Sequence, residues 1–222
     1  MKGAIIMKLK QFLLATISFG LLAVALFVPQ ISLRLATLPG KKALAWLAFF
    51  GLYALLICLY FWVLKKDAFH KLSKNDWVAI IVGYFTLTMI KLVYADLSQW
   101  LYHQTDTKND NLIRAAMGHN QTTALMIVII ACIFAPLCEE MLFRGIFMKL
   151  FWPQKFFLPI IVSGLLFGLA HSNFNILGTL LYSALGWTLA FVYKHTKNLS
   201  ASLTLHVLNN APVILVFFLG IH

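Results

Sequence analysis

The chain has 222 residues, of which 61% are apolar and 11% charged, and its mean hydropathy is +0.85. Water-soluble domains carry about 25% charged residues, so this composition excludes one and points to a chain that sits in hydrocarbon. The net charge of +11 does not signal nucleic acid, because the 18 Lys and Arg are spread over connecting segments and gather on no single face.

Seven stretches are long and apolar enough, or nearly so, to cross a bilayer as helices. The first, residues 12–28, follows Lys2, Lys8 and Lys10 and contains Ala23-Val24-Ala25. It has the look of a cleavable secretory signal, but six more spans behind it favour an uncleaved first helix. Residues 43–64 and 77–95 follow. A polar connection over 96–121 then leads to a fourth span from Thr122, and to further spans at 156–170, 176–193 and 199–219. The expected fold is all-α, a polytopic helical membrane protein of about seven transmembrane helices, with residues 1–121 as an N-terminal group of three spans and 122–222 as a four-helix catalytic core.

Positive charge sets the orientation. With the N-terminus inside, the inner segments carry twelve Lys and Arg, Arg144, Lys149 and Lys155 among them, against five in the outer loops. The excess predicts a multi-pass protein of the cell membrane with a cytoplasmic N-terminus and the lipid bilayer as its surroundings. Lys91, late in the third span, reads as a side chain that reaches for the headgroups. The three cysteines, Cys58, Cys132 and Cys138, all lie in apolar stretches and form no disulfide framework.

The fourth span holds the first anomaly. After seventeen uncharged residues, "APLCEEMLFRGIF" brings Glu139, Glu140 and then Arg144. Apolar helix formers continue to Pro153, so the helix is expected to run to about Phe151. Glu139 then lies roughly 18 Å from the inner end of a core about 30 Å thick. A carboxylate at that depth is a functional-site candidate by default. Glu140 and Arg144 stand at i and i+4, the favourable order for an ion pair. Glu139 is turned about 100° away and has no cation of its own, which suits it to proton transfer. Pro136, one turn earlier, cannot donate a helical hydrogen bond and is expected to open the helix there.

Two later spans carry matching polar groups. "SGLLFGLAHSNFN" delivers His171 with Phe167 and Ser163 on the same face, and "SLTLHVLNNAP" sets His206 and Asn210 at i and i+4. A lone histidine on an apolar face is more often structural than catalytic. Two histidines, an asparagine and a glutamate pair in three separate spans all need partners in hydrocarbon, and one another are the nearest available.

Amide hydrolysis fits this set. Glu139 takes a proton from water, the imidazoles orient the water or hold a divalent metal such as Zn, and His206 and Asn210 donate to the oxyanion. In the metal form Glu139, His171 and His206 are the candidate ligands. No "HExxH" occurs, which excludes a zincin helix.

"EEMLFR", "FGLAH" and "HVLNN" resemble the three motifs of the CPBP family, the CAAX-processing and bacteriocin-processing intramembrane proteases: Glu-Glu-x-x-x-Arg, Phe-x-x-x-His and His-x-x-x-Asn. The resemblance covers about residues 122–220. It implies a membrane-embedded endopeptidase in which Glu139 and His171 activate water, and His206 and Asn210 serve the oxyanion or a metal. Glu140, Arg144 and Phe167 would be supporting residues. Substrates would be peptides or membrane proteins, and a bacteriocin or its receptor would be a partner if the role is self-immunity. CAAX substrates fit less well, since prenylated proteins are chiefly eukaryotic. The competing classes are a non-proteolytic immunity or binding protein and a proton-coupled transporter. A transporter should show a structural repeat, and the sequence has none.

Overall fold

The computed structural model describes residues 2–64, 68–104, 107, 111, 113–115, 118, 120–171 and 176–219, with side chains from residue 12 onward and that of Val216 excepted. His119, Lys65 and Lys66 lie outside these residues. The described elements are helical: α1 (Lys2–Ala25), a 3-10 turn (Val28–Gln30), α2 (Ile31–Thr37), α3 (Lys42–Leu64), α4 (Lys74–Tyr102), α5 (Gln121–Leu150), α6 (Phe157–His171), α7 (Ile176–Thr196), α8 (Leu199–Asn210) and α9 (Pro212–Leu219). Six segments are long and apolar enough to cross a membrane, and α6, at 15 residues, is shorter. At 1.5 Å per residue the described part of α6 reaches about 22 Å, less than a hydrocarbon core about 30 Å thick.

Two sequence expectations shift. The third span does not stop near residue 95 but continues as helix to Tyr102, where His103 takes a left-handed conformation (φ 55) and closes it. Arg144 does not count as a charge in an inner loop. It is fully buried within α5, which leaves eleven inner charges against five and keeps the same bias.

α5 is the centre of the bundle. Within its most apolar stretch 56% of residues are buried, against 11% for the span Phe12–Thr37. α1 lies against it through Phe19, whose ring meets Phe143, Phe147 and Phe151 at 6.2, 5.2 and 6.2 Å. α3 adds Tyr53, stacked on Phe134 at 4.3 Å, and Tyr60, whose hydroxyl donates to the Leu22 carbonyl at 2.8 Å. The outer faces stay apolar, with Trp62 79% and Phe218 78% exposed, as hydrocarbon solvent requires. At one end of the bundle Asn198 joins three segments. It caps α8 at the Ser200 amide, exchanges hydrogen bonds with the backbone of His70, and donates to Asp76 in the first turn of α4.

α6 and α7 approach closely because Gly164-x-x-x-Gly168 faces Ser183 and Gly186. A methyl group on Gly168 would stand 2.6 Å from the Thr179 carbonyl and press on Ser183. Backbone cannot yield as a side-chain tip can, so Gly168→Ala should destabilise the protein by about 1–3 kcal/mol. Gly51→Ala, which meets nothing within 4 Å, should leave it unchanged. Thermal unfolding of the two variants in detergent checks the pair, and equal melting would refute the tight α6–α7 contact.

Candidate functional site

The helix that carries the glutamates is not uniform. α5 widens to i→i−5 spacing twice, over Ile130–Phe134 and again over Glu140–Phe147. Such π segments are rare and gather at functional sites. The first has a local cause. In the wider register the amide that should reach the Ala131 carbonyl belongs to Pro136, which has no N–H. Asn210 supplies the missing donor, its Nδ2 lying 2.9 Å from Ala131 O. The expected opening of the helix at Pro136 therefore takes the form of a widened turn whose free carbonyl is met by a side chain from α8. In the second segment the Ser163 hydroxyl donates to Phe143 O at 3.3 Å, so Ser163 serves the backbone of α5.

The second widening begins directly after Glu139 and separates the two carboxylates. Glu140 turns inward, where neither it nor Arg144 is exposed. Arg144 Nη1 stands 2.9 Å from Glu140 Oε1 as an ion pair, while its Nη2 donates to the Gly186 carbonyl at 2.9 Å. The guanidinium also lies over the Phe167 ring, 4.9 Å from its centroid. Glu140 accepts two hydrogen bonds, from the Ser202 hydroxyl and from His206 Nδ1 at 2.9 Å. These two donors and the Arg144 charge together offset the cost of a carboxylate in a dry interior.

Glu139 turns the other way, into a cavity of about 420 Å³. Its Oε1 is 3.7 Å from His171 Nε2 and its Oε2 is 3.8 Å from His206 Nε2. These gaps are too long for direct hydrogen bonds, and a water seated beside Glu139 can reach its carboxylate and an imidazole together. Each imidazole is held from behind. His171 Nδ1 lies 2.9 Å from the Phe167 carbonyl, which can only accept, so Nδ1 carries the proton. His206 Nδ1 likewise faces the Glu140 carboxylate. Both Nε2 atoms are thereby aimed at Glu139. Phe167 fixes the rings further, stacking on His171 at 4.3 Å and meeting His206 edge to face at 5.9 Å.

All four candidate catalytic residues, Glu139, His171, His206 and Asn210, line this one cavity. Phe167 shares the cavity wall with them, and Glu140 and Arg144 lie behind it. Sequence reasoning missed three contributors. Ser202 was legible, since it precedes His206 by four residues and Asn210 by eight on one stripe of α8. Tyr182 stacks on the other face of His171 at 5.0 Å, and nothing in its local sequence marks it. Asn209 donates to Asn210 Oδ1 at 3.0 Å, which leaves its own buried Oδ1 with no protein partner.

A metal centre was tested against this geometry. Among the described residues no three His, Cys, Asp or Glu side chains stand at metal-ligand spacing. The two Nε2 atoms and the Glu139 carboxylate have the chemistry of a divalent-metal site, and all three face the one cavity. Cys138, fully buried beside Glu139, packs in the apolar cluster with Tyr53 and Tyr60.

Comparison with known proteins bears on the same stretch. Residues 121–212 match the family model described as type II CAAX prenyl endopeptidase Rce1-like. A protein of Bacillus subtilis (strain 168) named "Putative membrane peptidase YdiL" is 34% identical over 92 residues, which cover 41% of this chain and 37% of that protein. The chain thus matches little more than a third of that relative's length. No solved structure matches the chain significantly. The three motifs stand in order on α5, α6 and α8 within this stretch, and residues 121–212 are thus similar to the CPBP family of intramembrane proteases.

Proposed function

We propose that the chain is an intramembrane endopeptidase that cleaves a peptide segment entering the cavity from the membrane. The observation that carries this reading is the placement of Glu139 between the Nε2 atoms of His171 and His206, at 3.7 and 3.8 Å, on the wall of a closed-in cavity. A water seated beside Glu139 donates to its carboxylate and to the acceptor Nε2 of His171. As its oxygen attacks the peptide carbonyl, a water O–H bond breaks and the proton passes to Glu139. The new C–O bond leaves negative charge on the carbonyl oxygen.

Two groups stand ready for that charge. Asn210 uses one N–H on Ala131 and keeps the other. For His206 to donate from Nε2 it must be the imidazolium, and Glu140 at its Nδ1 is the anion that supports this form. The C–N bond then breaks, and Glu139 returns its proton to the leaving amine. Glu140 and Arg144 do not touch the reacting atoms; they hold His206 in place. A zinc-type ion, if bound by His171, His206 and Glu139, would polarise the carbonyl or lower the proton affinity of the bound water.

The test separates hydrolysis from binding or transport. Purified protein in liposomes is incubated with an internally quenched peptide selected by screening, in water enriched in oxygen-18, and the fragments are weighed. Hydrolysis incorporates one oxygen-18 atom into the new carboxyl terminus. Intact peptide after prolonged incubation with every candidate from the screen would overturn the protease reading, and unchanged turnover after dialysis against a chelator would overturn the metal-assisted form.

A further inference from the structure

A second cavity, of about 360 Å³, lies at the end of the bundle where α5 stops, α6 begins and α7 ends. It is lined by Lys149, Lys155, Lys194 and Lys197, together with Tyr193 and Phe156. Four ammonium groups share this hollow, and no carboxylate is among the residues that line it. Like charges so gathered repel one another, and a fold that assembles them without a protein counter-ion leaves an anion to be supplied from outside.

Two of the four are fixed in place. Lys149 Nζ donates to the Leu64 carbonyl and Lys194 Nζ to the Pro153 carbonyl, each at 3.2 Å. An ammonium has three donors, so each keeps two for a ligand. Lys155 and Lys197 are exposed, and their ammonium groups bond to no described residue. The hollow therefore has a rigid back and a mobile front.

Its depth identifies the anion. The cavity sits where the membrane helices end, with Phe156 and Tyr193 in its wall and the exposed Trp152 and Phe157 adjoining in sequence, the aromatic types that mark the headgroup level. Directly toward the bilayer the surface turns apolar, with Phe157 68%, Ile161 48% and Phe191 47% exposed. A ligand held here has a negative head among the lysines and an apolar tail along α6 and α7. We propose that this cavity binds the phosphodiester headgroup of an anionic membrane phospholipid, with the acyl chains lying on the α6–α7 face.

The full-length protein, purified in a neutral detergent, is titrated with dioctanoyl phosphatidylglycerol, and bound lipid is counted by native mass spectrometry. Dioctanoyl phosphatidylcholine and inorganic phosphate are run in parallel. The expected result is preferential binding of the phosphatidylglycerol, weakened about 25-fold in Lys155→Gln/Lys197→Gln, the product of about fivefold per lysine at low salt. Lys41→Gln/Lys42→Gln removes the same charge at the start of α3 and should bind as wild type does. The proposal is overturned if the first double variant keeps its affinity, if the second loses as much, or if inorganic phosphate displaces the lipid at equal concentration, which would make this a site for a free anion.

Discussion

Replacing Glu139 with glutamine should lower peptide cleavage by about 10²- to 10⁴-fold while leaving the fold intact. The magnitude is that of a positioned general acid–base group. The second half of the expectation follows from what Glu139 does not do. Among the described residues it makes no direct hydrogen bond, its two neighbours standing at 3.7 and 3.8 Å. Glutamine fills the same space, keeps an acceptor oxygen and cannot take a proton from water. His171→Ala should fall into the same class, since it removes the water's second contact. Cleavage rates at matched membrane expression, beside melting in detergent, check both. Near-normal turnover in Glu139→Gln would end the case for Glu139 as the base.

Arg144→Met should show the opposite pattern. Removing the guanidinium strands the buried Glu140 carboxylate and the Gly186 carbonyl together. Breaking one side of a buried pair costs about 3–5 kcal/mol. His206 and Ser202 still donate to Glu140, so the cost should sit toward the lower end of that range. Methionine retains contact with the Phe167 ring, which isolates the electrostatic part. The double variant Glu140→Gln/Arg144→Met should recover most of the loss, because no uncompensated charge is left. Its activity should remain low, since His206 loses the carboxylate behind its Nδ1. Thermal unfolding of the two single and one double variant gives the coupling directly. Additive losses would mean that the pair does not act as a unit.

These contrasts also mark what could be read in the sequence. The Glu140–Arg144 pairing was legible because it needs only helical spacing, and the meeting of His171 and His206 with Glu139 because buried polar groups have few places to go. The structure sets both imidazoles within 4 Å of Glu139. The widened turns of α5 were not legible. Hydrophobic pattern reports which face is apolar, and a π segment buried throughout, as Glu140–Phe147 is, leaves no trace in it. Pro136 hinted at a break, but the partner that fills its missing donor, Asn210, is 79 residues from Ala131 in sequence. The part played by the first three spans was equally silent. They carry no motif; α1 and α3 fit against α5 and each other through Phe19, Tyr53 and Tyr60, and α4 packs on α7 and α8 through Ile80 and Leu87, contacts that depend on shape.

The buried ion pair has a consequence for how the chain is made. Each charged residue at the centre of an inserting helix costs about 2.5–3.5 kcal/mol, and α5 carries three. Ser202 and His206, which complete the shell of Glu140, lie 62 and 66 residues further along. At about 5–20 residues per second, α5 waits roughly 3–12 s for them after leaving the ribosome. Over that interval Glu140 has Arg144 alone for company. The i,i+4 pair is thus a travelling counter-ion, which lets α5 enter the membrane before the helix it will serve has been synthesised.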